Sequence, residues 1–295
     1  MNSTHAWWLA ARPKTLPASV SPVILGSALA YFHGQFDVWL LLLALICAVA
    51  LQVAVNFAND YFDHASGVDT EHRLGPVRAS QSGMVSAAAM KRALALVCSI
   101  ALLSGLALCW LSSWALVWFG IAAMVAVFIY SGGPWPLASH GLGEVTVFLF
   151  FGWLAVGGSY FAHSQAIGSL VLGFASVAGL ISAAIMLVNN IRDIPTDKVA
   201  GKYTLAVMLS EARARMLYRY LLWFVIGLHL ALVSLLGIVL ILPLLLCAPL
   251  FRRLFQLSYQ SQGQELNALL AQTAKTELVY CLLTSLCLVL LPTLP

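Results

Sequence analysis

The chain has 295 residues, 61% of them hydrophobic and only 9% charged, with a formal net charge of +4 and a mean hydropathy of +0.92. A soluble domain carries about 25% charged and 45–50% apolar residues, so a water-soluble globule is excluded and an integral membrane protein is required. The apolar runs reach about 17–25 residues and lack strand alternation, which argues for helices rather than a barrel.

Nine membrane segments are predicted, near residues 16–33, 38–60, 90–110, 113–131, 142–161, 167–193, 215–235, 237–255 and 276–294. Ahead of them, Met1 to Lys14 holds no apolar core of a cleavable signal, and the first run leads straight into more membrane segments. All fifteen Lys and Arg fall in alternate connections. Arg12 and Lys14 precede the first segment; Arg73, Arg78, Lys91 and Arg92 follow the second. Arg192, Lys198, Lys202, Arg213, Arg215 and Arg219 surround the connection after the sixth, and Arg252, Arg253 and Lys275 follow the eighth. The positive-inside rule then predicts a cytoplasmic N-terminus and an extracytoplasmic C-terminus. The positive charge reflects topology; no basic helix or aromatic-interleaved motif points to nucleic acid. Arg213, Arg215 and Arg219 read as anchors for lipid headgroups.

The second segment ends in an anomaly. A run without charge from Val38 to Phe57 leads into Asn56, Asn59, Asp60 and Asp63, with Asp69 a little further on. On a helix the first four of these fall within an arc of roughly 100°. Each carboxylate at bilayer depth costs about 2.5–3.5 kcal/mol, so something positive must offset it. Oxygen ligands at this spacing suit a hard cation such as Mg²⁺. Asn189-x-x-x-Asp193 at the end of the sixth segment echoes Asn56-x-x-x-Asp60, and both are followed by another aspartate, a glycine and a basic residue. Both motifs end even-numbered segments on the same side, so a duplication would be a parallel repeat, which the sequence leaves open.

Two acidic clusters flanked by Arg73, Arg78, Lys198 and Lys202 make a site for metal-bound diphosphate, where metal and side-chain cations together neutralise the phosphate oxygens. If that diphosphate is esterified to an allylic isoprenoid, its departure leaves an allylic cation that aromatic membrane segments can shield from water. Tyr61, Tyr130, Glu144 and Asn189 are the candidates for contact with an aromatic substrate; Glu144 reads equally as an interfacial cap. The six cysteines (Cys47, Cys98, Cys109, Cys247, Cys281 and Cys287) all lie in apolar runs without CxxC spacing and read as small buried hydrophobes. No HxxxH or HExxH pair supports zinc or haem. The rival class is a secondary transporter, which places acids near the bilayer midplane on broken helices; here every acid is expected at a cytoplasmic helix end or in a loop.

At these motifs the chain resembles the UbiA superfamily of intramembrane aromatic prenyltransferases, and within it the branch acting on 1,4-dihydroxy-2-naphthoate. The matching stretches are Arg12-Pro-Lys14-Thr-Leu-Pro17, Asn56 to Asp63 with Gly67 and Asp69, Arg73 to Arg78, Gly132-Gly-Pro134, Gly141 to Glu144 with Phe150-Phe-Gly152, and Asn189 to Asp197 running on to Gly201, Lys202 and Thr204. The resemblance implies a single all-α domain of nine transmembrane helices around a central cavity, capped by cytoplasmic loops, in the bacterial inner membrane. It implies Mg²⁺-dependent transfer of a polyprenyl chain from its diphosphate to the naphthoate ring, with loss of the ring carboxylate, to give demethylmenaquinone. Carried over by position, Asn56, Asp60 and Asp63 belong to the first metal motif and Asp193 and Asp197 to the second, while Arg78 and Lys202 bind diphosphate. Relatives acting on 4-hydroxybenzoate, the alternative acceptor, carry a further aspartate where this chain has Gly67. Asn189 and Asn190 stand where other branches have acids, and both departures favour the naphthoate branch. Pro195 is expected to end the sixth helix and leave Asp197 beyond it.

Overall fold

The computed structural model describes residues 3–65, 75 and 78–291, and among them the chain is helical throughout, with no strand. A short helix α1 (Ser3–Ala11), absent from the sequence expectation, precedes a 3₁₀ turn at Pro13–Thr15. Then follow α2 (Leu16–Phe32), α3 (Val38–Ala65), α4 (Ala87–Leu111) and α5 (Leu116–Ile129). The fifth membrane segment is a composite of α6 (Gly143–Val147), a π-helical stretch (Phe148–Gly157) and α7 (Gly158–Ser164). After it come α8 (Ser169–Val199), the short α9 (Leu205–Leu209), α10 (Glu211–Leu236), α11 (Ile241–Gln260) and α12 (Leu266–Leu290). Eight of the described helical spans are long and apolar enough to cross a membrane; the ninth, α5, is apolar but has only 14 residues.

Helix α8 is the axis of the larger core. Its Phe174, Ala178, Ile181 and Leu187 are fully buried against Leu25 and Leu29 of α2, Leu222 of α10 and Leu288 of α12. Between helices in lipid no hydrophobic force operates, so close packing of small residues takes its place. Gly152 of the π-helical stretch meets Gly179 of α8 backbone to backbone: a Cβ on Gly179 would lie 2.6 Å from the Phe148 carbonyl oxygen. Outward faces are apolar, with Leu103, Trp118 and Leu246 exposed to the surroundings. Trp39, Trp110 and Trp114 cluster at the helix ends away from the basic residues, as an interfacial aromatic belt does.

Several expectations change. Helix α12 begins at Leu266, ten residues before the predicted segment, with a capping box between Gln262 and Glu265 just ahead of it. Its polar residues Thr273, Thr276 and Glu277 are fully buried and face protein, so a hydropathy reading that assumes lipid contact misses this stretch. Lys275 therefore lies within a helix. Glu277 lies well inside α12, where Ser182 of α8 donates to one of its oxygens, against the expectation that every acid sits at a helix end or in a loop. Helix α8 also continues through Pro195 to Val199, because proline removes a single rung of the ladder; Asp197 is thus helical. Finally, Arg215 is a strut and not a lipid anchor: it pairs with Glu211 at 2.8 Å and donates to the Ser258 and Ser261 carbonyl oxygens at 3.0 and 2.7 Å, tying α10 to the end of α11. Arg219 covers the Tyr259 ring at 4.3 Å.

Gly179→Val should overpack the contact that sets the π-helical stretch against α8 and cost about 1–3 kcal/mol. The expected outcome is a lower thermal unfolding midpoint in detergent, by a few degrees per kcal/mol. Gly120→Val, where a Cβ meets nothing within 4 Å, should leave the midpoint in place.

Candidate active site

The last turns of α3 bury three of the residues singled out from the sequence: Asn56, Asp60 and Asp63 are 2%, 1% and 6% exposed. A carboxylate so placed needs donors on both oxygens. Asp60 obtains them from the chain that follows α3, whose Ala79 and Ser80 backbone N–H groups donate at 3.1 and 3.3 Å. Asp63, one turn on, accepts from the Arg78 guanidinium at 2.8 Å and from Lys202 Nζ at 3.3 Å. Lys202 arrives from the far half of the chain, past the tight turn at Gly201 (φ +69°), and its own N–H donates to the Asp197 carbonyl oxygen at 2.9 Å. The first acidic motif and the basic end of the second thus meet at one carboxylate.

The second motif is organised by Arg192. Its guanidinium takes Asp193 with two nitrogens, at 2.8 and 2.6 Å, and reaches Asn189 Oδ1 and Asn267 Oδ1, each at 2.8 Å. This clamp anchors the start of α12 to α8. It was not foreseen as a site element, because neighbouring residues on a helix diverge by about 100° and only a backward-folded side chain lets them pair. Asp197 accepts from Thr204 Oγ1 at 3.5 Å.

Tyr130, at the end of α5, is buried, and its hydroxyl donates to the Met186 sulfur at 3.3 Å. Glu144, in the first turn of α6, accepts from Asn190 Nδ2 at 2.9 Å. Tyr130 lies near enough to Glu144 and Asp63 for both carboxylates to act on its hydroxyl. Met186, Asn190, Asp193 and Asp197 recur at helical spacing along one face of α8. That face, the end of α3, the turn after α5 and the start of α6 therefore bound one region.

Several predicted site residues lie elsewhere. Asn56 turns to the α1 corner, where its amide donates to the Ala11 carbonyl at 2.9 Å and to Thr15 Oγ1 at 3.0 Å and receives Gln52 at 3.4 Å. It completes the end of α1, which otherwise leaves carbonyls without partners. Asn59 instead binds Ser131 at 2.7 Å, tying α3 to the turn after α5. Tyr61 faces α4, with Lys91 Nζ 5.2 Å from its ring centre, because one residue past Asp60 is a rotation of about 100° away. Asn189 is held in the arginine clamp, and its neighbour Asn190 takes the place beside Glu144. Lys198 is exposed near the end of α8, with no ion pair among the described residues. Gly67, Asp69 and Arg73 lie outside the described residues.

No three of the described acids, histidines or cysteines converge closely enough to hold a metal ion by themselves. Magnesium does not ask for that, since it is usually held by one or two carboxylates together with substrate phosphates and waters. Asp60, Asp63 and Asp193 are hard, buried oxygen donors, and the charges of Asp63 and Asp193 are balanced by flexible cationic side chains. They fit such an ion; Asn56, committed to α1, does not.

The family model described as UbiA prenyltransferase family matches residues 19–291. The 1,4-dihydroxy-2-naphthoate octaprenyltransferase of Escherichia coli (strain K12) is 40% identical over 221 residues, covering 73% of this chain and 72% of that protein. The Mycobacterium tuberculosis protein of the same name is 40% identical over 223 residues, covering 75% and 76%. A solved UbiA homolog from Archaeoglobus fulgidus bound to DMAPP and Mg²⁺ superposes with a TM-score of 0.69 at 14% identity, covering 97% of this chain and 99% of that one. The chain belongs to the UbiA prenyltransferase family, an enzyme family of multi-pass membrane proteins that transfer prenyl groups.

Arg192→Gln should leave Asp193 buried without its cation and cost about 3–5 kcal/mol, whereas adding Asp193→Asn should recover more than half of that loss. A double-mutant cycle on thermal unfolding checks the pairing.

Proposed function

We propose that this member of the UbiA prenyltransferase family transfers a polyprenyl chain from its diphosphate to 1,4-dihydroxy-2-naphthoate, with loss of the ring carboxylate, giving demethylmenaquinol, the hydroquinone that becomes demethylmenaquinone on a later two-electron oxidation. The observation that carries the acceptor is the name shared by relatives at about 40% identity from Escherichia coli and Mycobacterium tuberculosis. The donor half rests on the junction at Asp63, where Arg78 and Lys202 converge from the two halves of the chain. A diphosphate presents phosphate oxygens to which both cations can turn, and charge-assisted contacts of that kind are strong in a buried setting.

Asp60, Asp63, Asp193 and Asp197 are the residues that would hold Mg²⁺. When bound, the ion stabilises the charge that grows on the diphosphate oxygens as the allylic carbon–oxygen bond breaks. Arg78 and Lys202 bind the same oxygens and hold the leaving group in place. The backbone donors at Ala79 and Ser80 keep Asp60 oriented, so its lone pairs need no reorganisation during the reaction. Tyr130, Glu144 and Asn190 form the wall that meets the aromatic acceptor. The basic connections support a site and an N-terminus on the cytoplasmic side, and the bacterial relatives at about 40% identity support a bacterial cytoplasmic membrane.

Asp60→Ala and Asp193→Ala should each lower turnover by at least about 100-fold while membrane insertion is retained. The measurement is product mass after incubating purified protein with Mg²⁺, farnesyl diphosphate and the naphthoate. Chelation should abolish the product and added Mg²⁺ restore it; near-normal turnover by Asp60→Ala protein would contradict the mechanism.

A further inference from the structure

Glu144 has one carboxylate oxygen engaged and one not. Oε1 accepts from Asn190 at 2.9 Å, whereas Oε2 is buried and meets no hydrogen-bond partner among the described residues. A buried acceptor without a donor is destabilising, so a water or a ligand that donates to it is favoured. Its neighbours favour a ligand. The Tyr130 hydroxyl, close by, meets only the Met186 thioether among the described residues, and sulfur is a weak acceptor. Gly143 precedes Glu144 in the chain, and a Cβ there would sit 3.4 Å from Tyr130 Oη and 3.7 Å from Asn190 Nδ2, the amide that holds Glu144 Oε1. The absent side chain lets the Tyr130 hydroxyl and the Asn190 amide, and through it Glu144, come close to the start of α6. Tyr130 also lies within electrostatic range of Asp63, the carboxylate that pairs with Arg78 and Lys202. A hydroxyl on an aromatic ring supplies what Oε2 lacks, a donor, and presents an oxygen to which the Tyr130 hydroxyl can turn.

We propose that Glu144 is the catalytic base of the transfer, taking the proton of the acceptor's ring hydroxyl on Oε2 while Asn190 holds the other oxygen. The role rests on the naphthoate reading above. Loss of the O–H proton to Glu144 makes the ring electron-rich. The ring carbon that bears the carboxylate then forms its bond to the allylic carbon as the bond from that carbon to the diphosphate oxygen breaks, and diphosphate leaves with the electron pair. The electron pair of the ring-to-carboxylate bond returns to the ring as carbon dioxide departs, and Glu144 gives the proton back to the ring oxygen. No oxidant is consumed, and the enzyme ends in its starting state.

The test uses the purified full chain with Mg²⁺, farnesyl diphosphate, and the naphthoate or each of its two mono-O-methyl ethers. Glu144→Gln should lower the transfer rate by about 100-fold while affinity for farnesyl thiolodiphosphate stays within about twofold. The loss should shrink as pH rises and the hydroxyl ionises unaided, which a merely structural role would not produce. Wild-type protein should fail on one of the two ethers. A Glu144→Gln rate within about threefold of wild type, or wild-type turnover of both ethers, overturns the proposal. Should Glu144→Gln protein not bind the donor analogue, the ethers with wild-type protein decide alone. Wild-type protein that prenylates no hydroxynaphthoate overturns the functional reading itself, a result distinct from a failure confined to Glu144.

Discussion

A carboxylate in a membrane protein's interior must be neutralised where it stands, and Asp63 shows what that demand does to the chain. Its two oxygens are claimed by Arg78, fifteen residues later, and by Lys202, from beyond the sixth membrane segment. Each cation constrains a separate connection: Arg78 fixes the turn that also brings Ala79 and Ser80 to Asp60, and Lys202 fixes the turn at Gly201. Water would screen such pairs to little value. Under buried conditions neither the acid nor the cations can be left alone, so the helix ends of both halves are locked to one point. The same demand at Asp193 is met locally by Arg192, which recruits Asn267 and so positions α12.

Under the proposed function those pairs would exchange partners. A diphosphate with its metal would offer anionic oxygens to Arg78 and Lys202 and a cation to the aspartates, replacing each partner with one of the same sign, so that the charges entering would each find a match. Glu277 illustrates the contrast. It has a serine hydroxyl and no described cation, sits in α12 away from the motifs, and binds helices together as an intramembrane polar contact does.

Much of the fold and of the charged junction at Asp63 was legible because it is written in contrasts that a sequence displays plainly. Apolar runs gave eight spans of membrane length and one short helix close to their expected places, and Asp60, Asp63, Arg78 and Lys202 stood out as polar residues at the ends of such runs. What was not legible depends on helix rotation. Asn56 and Asn59 both precede Asp60, but only the position of α1 decides that Asn56 serves that helix and Asn59 serves Ser131. Asn189 and Asn190 are interchangeable until the buried face of α8 is known, and that face runs through Met186, Asn190 and Asp193. The start of α12 was hidden for a related reason: polar residues that face protein lower hydropathy as effectively as residues that face water.

The division of labour within the site follows from where its charges balance. On the side of α3 every described oxygen of Asp60 and Asp63 has a donor, and two of those donors are cations, so that side is prepared for an anion and its metal. On the side of α6 no described cation pairs with the polar groups: Glu144 is met by an amide, Tyr130 by a thioether, and one carboxylate oxygen has no described donor. A second diphosphate would meet no described cation there, whereas a neutral hydroxyl would supply a donor to Glu144 Oε2. Under the proposed function the two walls would suit different chemistry, an anionic leaving group on one side and a protic ring on the other, with Tyr130 acted on electrostatically by a carboxylate from each, Asp63 and Glu144.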